Sequence, residues 1–306
     1  MLHMVAKLHY EAEMSQVDIA RRLGVSTATI SRMLQKARAV GIVRIEVIDL
    51  ALPEEISDEL VARLGLRKAS VVDLPQAGGL GALGAPVSQM LRDAGLSAGS
   101  VLGIGWGRAV RETVLAGLPR LPGIVTVPMT GGMQMAAAHF QINEFVRLAA
   151  EQTGGTPHFL HAPYMSSPEL REAFLADASV RETLSLWDRL DAAIVGVGLT
   201  HAVNPPEASA ATPGEQALKR AKGDVIRHYV DEDGAILTWE GQAAMIAASP
   251  EQLRRTPLVI AVAATPEKAA GIIGAVRSGM VNALVTDAAT ARAILDRLAP
   301  PEAKSA

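Results

Sequence analysis

Apolar positions at helical spacing, interrupted by glycines, occupy the first fifty residues. Val5, Leu8 and Ala12 share one face of a predicted first helix. Ser15 is a favoured N-cap, and Gly24 stands where a left-handed residue commonly ends a helix, so a second helix is predicted between them. The inward positions predicted for that helix are Val17, Ile19, Ala20 and Leu23.

A third helix and a strand are predicted after Gly24. Ser26 is the expected cap of a helix over residues 27–39, Gly41 is expected to end it, and the alternation over residues 42–48 predicts a strand. Helix, glycine turn and helix at this spacing are typical of a helix-turn-helix unit, here winged-helix-like. The predicted buried stripe of the third helix is Ile30, Met33, Leu34 and Ala37.

Short apolar runs alternate with helical stretches in the rest of the chain. An amphipathic helix over residues 53–66 is followed by helices that include residues 144–152, 168–175 and 267–276. This alternation predicts an α/β, Rossmann-like body with a mostly parallel sheet, whose ligands bind beyond the carboxyl ends of the strands. The predicted strands are residues 69–73, 100–104, 123–127, 157–161, 192–196, 235–238, 258–263 and 283–286.

Composition narrows the class of protein. The 306 residues are 49% hydrophobic and 20% charged and include no cysteine, which excludes disulfide frameworks, cysteine zinc sites and thiol nucleophiles. The start of the chain has no secretory signal pattern, and no apolar run approaches the ~18 residues of a membrane helix. A soluble, cytoplasmic protein is therefore predicted.

Basic residues concentrate in the head. Residues 15–44 hold six lysines and arginines against one acid, although the whole chain carries a net charge of −3. This asymmetry favours a polyanionic partner for the head, with a solvated helical face as the alternative.

The outward side of the third helix indicates that the partner is double-stranded DNA. Arg32 is placed to donate two hydrogen bonds to a guanine edge, while Arg21, Arg22 and Arg38 suit phosphate contacts. Residues 1–50 are thus predicted to be a DNA-binding domain. Its predicted contact residues are Gln16, Arg21, Arg22, Ser26, Thr27, Thr29, Ser31, Arg32, Lys36 and Arg38.

Glycine-rich loops follow three of the predicted strands, at residues 105–109, 128–132 and 196–198, and the loop at residues 264–268 follows a fourth strand and opens a helix. Glycines let backbone N–H groups approach an anion, although a single such loop more often reflects tight packing. A dinucleotide fingerprint is not supported, because the loop that starts at Gly103 lacks the third glycine at the required offset. No cofactor is predicted.

The head resembles the DNA-binding domain of the SorC/DeoR-type sugar-binding transcriptional regulators. The shared pattern is Ser-Gln…Ile-Ala…Leu-Gly-Val-Ser…Ile-Ser-Arg, between Ser15 and Arg32. The resemblance continues through the body in Gly103-Ile-Gly-Trp-Gly-Arg, Val127-Pro-Met-Thr-Gly-Gly and Gly223-Asp-Val-Ile. It implies that residues 51–306 are a sugar-sensing and oligomerisation domain whose fold is related to sugar-phosphate isomerases and deaminases.

The resemblance also implies an effector site. It predicts two loops that bind the phosphate group of the effector, and a contact from Gln141 or Asn143 to a sugar hydroxyl. It also predicts that Asp224 accepts a hydrogen bond from a hydroxyl and that Lys268 pairs with the phosphate. Ala109 and residues 264–265 depart from the family's pattern, which leaves an unphosphorylated polyol open as the effector. The implied residues of the first phosphate loop are Gly105, Trp106, Gly107 and Arg108, and those of the second are Thr130, Gly131 and Gly132.

Catalysis by the body is the alternative function, as a sugar-phosphate isomerase or deaminase-like enzyme. Such chemistry requires a positioned acid and base, and the histidines show no spacing that builds a dyad or a metal site. Asp287 follows a strand, where an acid often only caps a helix, and Asp224 is predicted to lie in a loop after Gly223. The sequence therefore predicts a regulator, not an enzyme, that acts as a homodimer or homotetramer on a DNA operator. The histidines considered are His139, His158, His161, His201 and His228.

Overall fold

A computed structural model describes residues 1–10, 12, 14–40, 42–43, 54–74, 79–133, 141–199 and 212–299. The chain divides into two compact units, Met1–Asp49 and Leu50–Ala306. No helix in these ranges is long and apolar enough to cross a membrane.

The described part of the first unit consists of three helices: α1 (Leu2–Tyr10), α2 (Gln16–Leu23) and α3 (Thr27–Ala39). Ser15 and Ser26 cap α2 and α3, because their hydroxyls accept the N–H groups of Asp18 at 3.1 Å and Thr29 at 3.2 Å. Gly24 follows α2 in the left-handed conformation, with φ 65°. The buried core of the unit consists of Val5, Ile19, Ala20, Ile30 and Leu34.

Three details of the head differ from the sequence-based expectation. Val17 is 54% exposed, because it lies on the solvent side of α2 rather than in the core. Ala12 is exposed and lies beyond the last residue of α1. Val40 is the C-cap of α3; Gly41 and most of the strand predicted over residues 42–48 lie outside the described residues.

Ten strands lie in the described part of the second unit. Seven of them form one parallel sheet in the order β1-β10-β9-β5-β2-β3-β4, which confirms the predicted fold class. The strands are β1 (Lys68–Val72), β2 (Val101–Ile104), β3 (Val125–Pro128), β4 (Thr156–Pro157), β5 (Leu190–Gly196), β6 (Gly223–Val225), β7 (His228–Val230), β8 (Ile236–Leu237), β9 (Leu258–Val262) and β10 (Ala283–Asp287).

The remaining strands, β6, β7 and β8, form a separate antiparallel sheet. The run at residues 235–238 therefore does not join the parallel sheet, as its place in the strand series suggested. Only Ile236 and Leu237 of this run form a strand, β8, and they pair antiparallel with β7. The run at 157–161 is likewise strand only at its start, in β4.

Helices cover both faces of the parallel sheet. Along β5, Ala193 and Val195 face one apolar cluster while Ala192 and Ile194 face the other, as expected for a strand buried on both sides. The helices are α4 (Glu54–Leu64), α5 (Gly84–Asp93), α6 (Arg108–Ala116), α7 (Ile142–Thr153), α8 (Pro168–Ala176), α9 (Ala178–Ser185), α10 (Pro213–Gln216), α11 (Pro250–Arg255), α12 (Ala269–Arg277) and α13 (Ala288–Leu298).

Candidate functional site

Four neighbouring strands, β9, β5, β2 and β3, bring the loops after their carboxyl ends to one stretch of the sheet edge. β6 lies beside these loops, because the N–H of Gly198 donates to the backbone carbonyl of Asp224 at 2.9 Å. The four loops identified in the sequence therefore meet at the edge where ligands of parallel sheets bind.

The partly buried cation of this edge is Lys268. It ends the 3₁₀ turn Pro266–Lys268 and is the N-cap residue of α12. Burial and the nearby charge of Arg108 lower the pKa of Lys268, while the Asp224 carboxylate acts in the opposite direction. Within the described ranges, the Lys268 ammonium has no hydrogen bond or ion pair. Two cations and one carboxylate thus leave net positive charge for an anion.

The loop after β2 combines close packing with open space. A Cβ at Gly105 would lie 3.0 Å from the Ile194 carbonyl oxygen, so glycine is required for the approach to β5. Gly107 has φ 135° and no atom within 4 Å of its Cβ position, and it precedes the first residue of α6, Arg108. Trp106 packs against the core at this point. The N-terminus of α6 therefore faces accessible space beside Arg108.

Asp224 lies in β6, not in a loop as the sequence suggested. Its Oδ2 accepts the backbone N–H of Arg227 at 3.0 Å. Its Oδ1 lies against Gly198, where an added Cβ would be only 2.0 Å away. The carboxylate is thus held in one place with lone pairs left for hydroxyl donors.

Backbone strain in the described chain is concentrated beside Asp224 and Lys268. The non-glycine residues with positive φ are Ile226 (50°) and Arg227 (64°), directly after β6, and Thr265 (97°), three residues before Lys268. Asp287 holds the strained Thr265 by accepting its N–H at 3.1 Å. Such strain costs energy and persists where the surrounding structure enforces it, commonly at functional sites.

Asp287 is therefore a structural acid. It caps α13, accepting the Thr290 N–H at 3.0 Å and the Thr290 hydroxyl. Its hydrogen bonds to described residues hold the start of α13 and the loop that carries Lys268.

The loop after β3 uses its donors within the protein. The N–H groups of Gly131 and Gly132 donate to the carbonyl oxygens of Ile246 and Ala162, each at 2.9 Å. The buried Thr130 hydroxyl donates to the same Ile246 oxygen at 3.4 Å. A Cβ at Gly131 would lie 2.5 Å from Pro163, so this glycine is needed for packing.

An open cavity of about 720 Å³ lies next to this loop. Gln141 lines it, whereas Asn143 exchanges two hydrogen bonds of 3.2 Å with the backbone of Leu160. Of the two alternatives for a sugar-hydroxyl contact, Gln141 is the one at the cavity wall. The lining residues are Gly132, Met133, Gln141, Leu160, His161, Ala162 and Pro163.

A buried polar cluster behind the cavity has no counterpart in the sequence-based prediction. Glu215 Oε1 accepts the hydroxyls of Tyr164 at 2.9 Å and Tyr229 at 3.1 Å and lies 3.5 Å from the Arg227 guanidinium. Neither the four-residue helix α10 nor the short β6–β7 hairpin gives a periodic signal. The sequence signal that could have indicated the cluster was a charged residue in each short element, Glu215 in α10 and Arg227 in the β6–β7 hairpin.

The histidines of the second unit were considered as catalytic or metal-binding residues. His228 Nε2 lies 2.8 Å from the Ala248 carbonyl, and burial lowers the pKa of His228, so its ring is held neutral. His139 and His201 lie outside the described residues. Over the part of the chain that is described, no group of three or more histidines and acids could hold a metal ion.

In the first unit, the basic side chains of the predicted DNA surface are exposed. Arg32 donates only a 3.4 Å bond to the Ala28 carbonyl, and Arg21 forms an exposed ion pair of 3.1 Å with Asp18. Gln16 and Thr29 are half-buried, and Ser26 is used as the cap of α3. The other predicted contact residues, all exposed, are Arg22, Thr27, Ser31, Lys36 and Arg38.

Comparison with known proteins decides the family. The model of the family described as "Putative sugar-binding domain" matches residues 50–296. This chain belongs to that family. Family membership and the mixed α/β fold were both predicted from the sequence, and both are confirmed.

Similar chains extend over both units. The sorbitol operon regulator of Klebsiella pneumoniae is 29% identical over 95% of this chain and 96% of its own length. The deoxyribonucleoside regulator of Bacillus subtilis is 28% identical, with 96% of each chain covered. The crystal structure of the full-length Klebsiella regulator superposes with a TM-score of 0.71 and covers 96% of this chain and 98% of that one.

The strain at Thr265 generates a stability prediction. Replacing Thr265 by glycine should raise the free energy of unfolding by about 1 kcal/mol, because relief of strain exceeds the added entropy of the unfolded chain. Thermal unfolding measures it as a Tm increase of about 2–4 °C. Thr265→Ala is the matched control, since it keeps a Cβ at φ 97°. Equal Tm values for the two variants would show that the conformation is unstrained.

Proposed function

We propose that this chain is a DNA-binding transcriptional regulator whose operator affinity is modulated by a sugar or sugar phosphate. Residues 1–50 bind the operator through α3, and residues 51–306 bind the effector and mediate assembly into a homodimer or homotetramer. The observation that carries the proposal is the set of Arg108, Asp224 and Lys268 on one sheet edge. The names of the relatives, a sorbitol operon regulator and a deoxyribonucleoside regulator, support it.

The charges favour an effector with an anionic end and a hydroxylated end. Lys268 and Arg108 stand at the starts of α12 and α6, so helix dipoles add to their charge in attracting a phosphate group. Asp224 can accept hydrogen bonds from sugar hydroxyls. Ala109 is buried and has no hydroxyl that could donate to the effector from the first loop. Binding of the anionic end of the effector therefore depends on Lys268 and Arg108.

Coupling to the head is expected through α12. Lys268 directly precedes this helix, and α12 and α13 both pack against α4. Leu60 of α4 is fully buried, and Arg63 donates to the Leu298 carbonyl at the end of α13. A ligand that shifts α12 therefore acts on α4, the first described helix of the second unit. It changes operator affinity only if it binds the two states of the assembly unequally.

Binding without turnover is the favoured chemistry. Asp287 is committed to capping α13, and the His228 ring is held neutral against a carbonyl group. General acid–base catalysis on a sugar phosphate needs a positioned donor and acceptor on the substrate. The enzymatic relatives of the fold carry no weight here by themselves, because fold does not determine function.

The test uses a defined panel: sorbitol, sorbitol 6-phosphate, 2-deoxyribose, 2-deoxyribose 5-phosphate and fructose 6-phosphate. Thermal shift identifies binders, operator titration with and without each binder measures modulation, and product analysis measures turnover. Binding of a panel member with a change in operator affinity and no conversion supports the proposal. Conversion that is lost in Asp224→Asn would favour the enzyme, and absence of any binding would contradict the sugar assignment.

The exposed arginine on α3 is expected to read sequence. Arg32→Ala should lower affinity for the cognate site by about 1–3 kcal/mol and relax specificity there, because a bidentate base contact is lost. Arg38→Ala, the matched control on the same helix, should weaken binding to all sequences about equally. A salt-controlled titration in which Arg32→Ala binds the operator like wild type would contradict the assignment of α3 as the reading helix.

Lys268 is expected to cost stability in exchange for effector binding. Since burial lowers its pKa, the charged form is less stable in the fold than in water, and Lys268→Met should raise the Tm by about 1–2 °C. The same variant should lose the response of operator affinity to the panel binder while keeping its ligand-free operator affinity. A normal response in Lys268→Met would remove this lysine from the site.

Gly198 is expected to be required for the position of Asp224. Gly198→Ala places a Cβ 2.0 Å from Asp224 Oδ1, so the carboxylate must move. Calorimetry should show a loss of affinity for the panel binder of about tenfold, the order of one hydrogen bond to a charged group. Gly81→Ala is the control, because its Cβ makes only a 4.0 Å contact. Unchanged affinity in Gly198→Ala would separate Asp224 from the effector.

A further inference from the structure

A second cavity, of about 310 Å³, lies between α8 and α9. We call it the α8–α9 pocket; Arg171 and Leu175 line it from α8, and Arg181 and Leu184 line it from α9. No residue of α8 is buried, so this helix leaves the space beside it open. The pocket shares no lining residue with the 720 Å³ cavity of the candidate effector site.

The walls of the α8–α9 pocket are mainly apolar. Leu175 and Leu184 face the buried side chains of Trp187 and Ile246 across it. The indole N–H of Trp187 donates to the Pro128 carbonyl at 2.8 Å, so the polar atom of this ring is used within the protein. Sugar hydroxyls buried against such walls would lose their hydrogen bonds to water without replacement. The pocket therefore suits a ligand with an apolar body.

Several polar side chains at the pocket already have partners. The Ser185 hydroxyl donates to the Glu182 carbonyl at 2.7 Å, and the Gln252 amide donates to Asp188 Oδ1 at 2.9 Å. Arg255, which does not line the pocket, donates to the same Asp188 oxygen at 3.3 Å. The carboxylate that lines the pocket is thus paired with a cation from outside it.

The two arginines of the pocket are less committed. Arg171 forms an ion pair of 3.1 Å with Glu172, which is 74% exposed, and only a 3.5 Å bond to the Met245 carbonyl. Such exposed pairs contribute little stability. The Arg181 side chain has no hydrogen bond or ion pair with a residue that the structure describes, and the acid one turn before it, Asp177, caps α9. The pocket therefore carries net positive charge.

We propose that the α8–α9 pocket is a binding site for a small organic carboxylate with an apolar body. A guanidinium group matches a carboxylate with two parallel hydrogen bonds, so Arg171 and Arg181 hold the charged end. Leu175, Leu184 and Trp187 contact the apolar body. The volume lies at the lower end of the range for small-molecule sites, which limits the ligand to a short acid. This site goes beyond the proposed function and does not depend on it.

Both cavities lie against the loop after β3, so the test has to separate them. The Ile246 carbonyl accepts the N–H of Gly131 at 2.9 Å, and the next residue, Gly132, lines the larger cavity. A carboxylate bound at the effector site would contact Lys268 or Arg108 instead of the α8–α9 arginines. Substitutions confined to α8 and α9 therefore identify the pocket that is occupied.

The test is a ligand-observed NMR titration of the full chain with 3-phenylpropionate, and with 3-phenylpropanamide as the uncharged probe of the same shape. The carboxylate should bind with a Kd of about 0.1–1 mM, as expected for so small a ligand. The amide should bind about tenfold more weakly, because charged hydrogen bonds are lost. Arg181→Gln and Arg171→Gln should each weaken carboxylate binding about tenfold. Arg189→Gln is the matched control, an exposed arginine of the turn after α9 that does not line the pocket, and should bind like wild type.

Filling the pocket provides an independent variant. Leu175→Trp adds bulk from a helix without buried residues and should abolish binding of both probes, while circular dichroism checks its fold. The arginine variants decide the result if Leu175→Trp unfolds. Equal affinity for acid and amide, unchanged affinity in both arginine variants, binding retained in folded Leu175→Trp, or displacement of the probe by a binder from the sugar panel would overturn the inference. A wild type that binds the panel but not 3-phenylpropionate also overturns it and leaves the proposed function standing.

Discussion

The proposed site depends on the partly buried ammonium group of Lys268, which forms no ion pair with any residue that the structure describes. Lys268 lies within reach of one like charge, Arg108, and one opposite charge, Asp224, and its pKa is lowered by burial. Such a group destabilises the fold until an anion neutralises it, which is the physical basis of the proposed effector site. The described residues around it hold this ammonium in place and leave it without an ion-pair partner among themselves.

Both loops that flank the ammonium are held against local preference. Thr265 adopts φ 97° because Asp287 holds its N–H, and Asp224 is fixed between Gly198 and the Arg227 N–H. These contacts sit at the ends of β9, β10 and β5, so the rigid parallel sheet supplies the reference frame. Because α12 begins directly after Lys268 and packs against α4, a change at the site can reach the first described helix of the second unit.

Periodicity and caps predicted most of the scaffold because they are local properties. Ser15, Gly24 and Ser26 marked the helices of the head, and strand-then-glycine patterns marked the loops of the site. Asp224 was placed in a loop because three residues of β6 carry no period, and the cluster of Glu215 and Arg227 depends on contacts between distant segments. The packing roles of Gly131 and Asn143 likewise follow only from tertiary neighbours.

The most direct measurement is the affinity of the protein for whichever phosphate ester of the sugar panel binds, as a function of pH from about 7 to 10.5. The ester keeps its charge over this range, and Tyr164 and Tyr229 stay protonated because burial raises the pKa of each. Affinity in wild type should fall as Lys268 loses its proton, with a midpoint below the ordinary lysine value of 10.5. Lys268→Met should bind weakly with no such fall. A pH-independent wild type, or the same midpoint in Lys268→Met, would contradict the account.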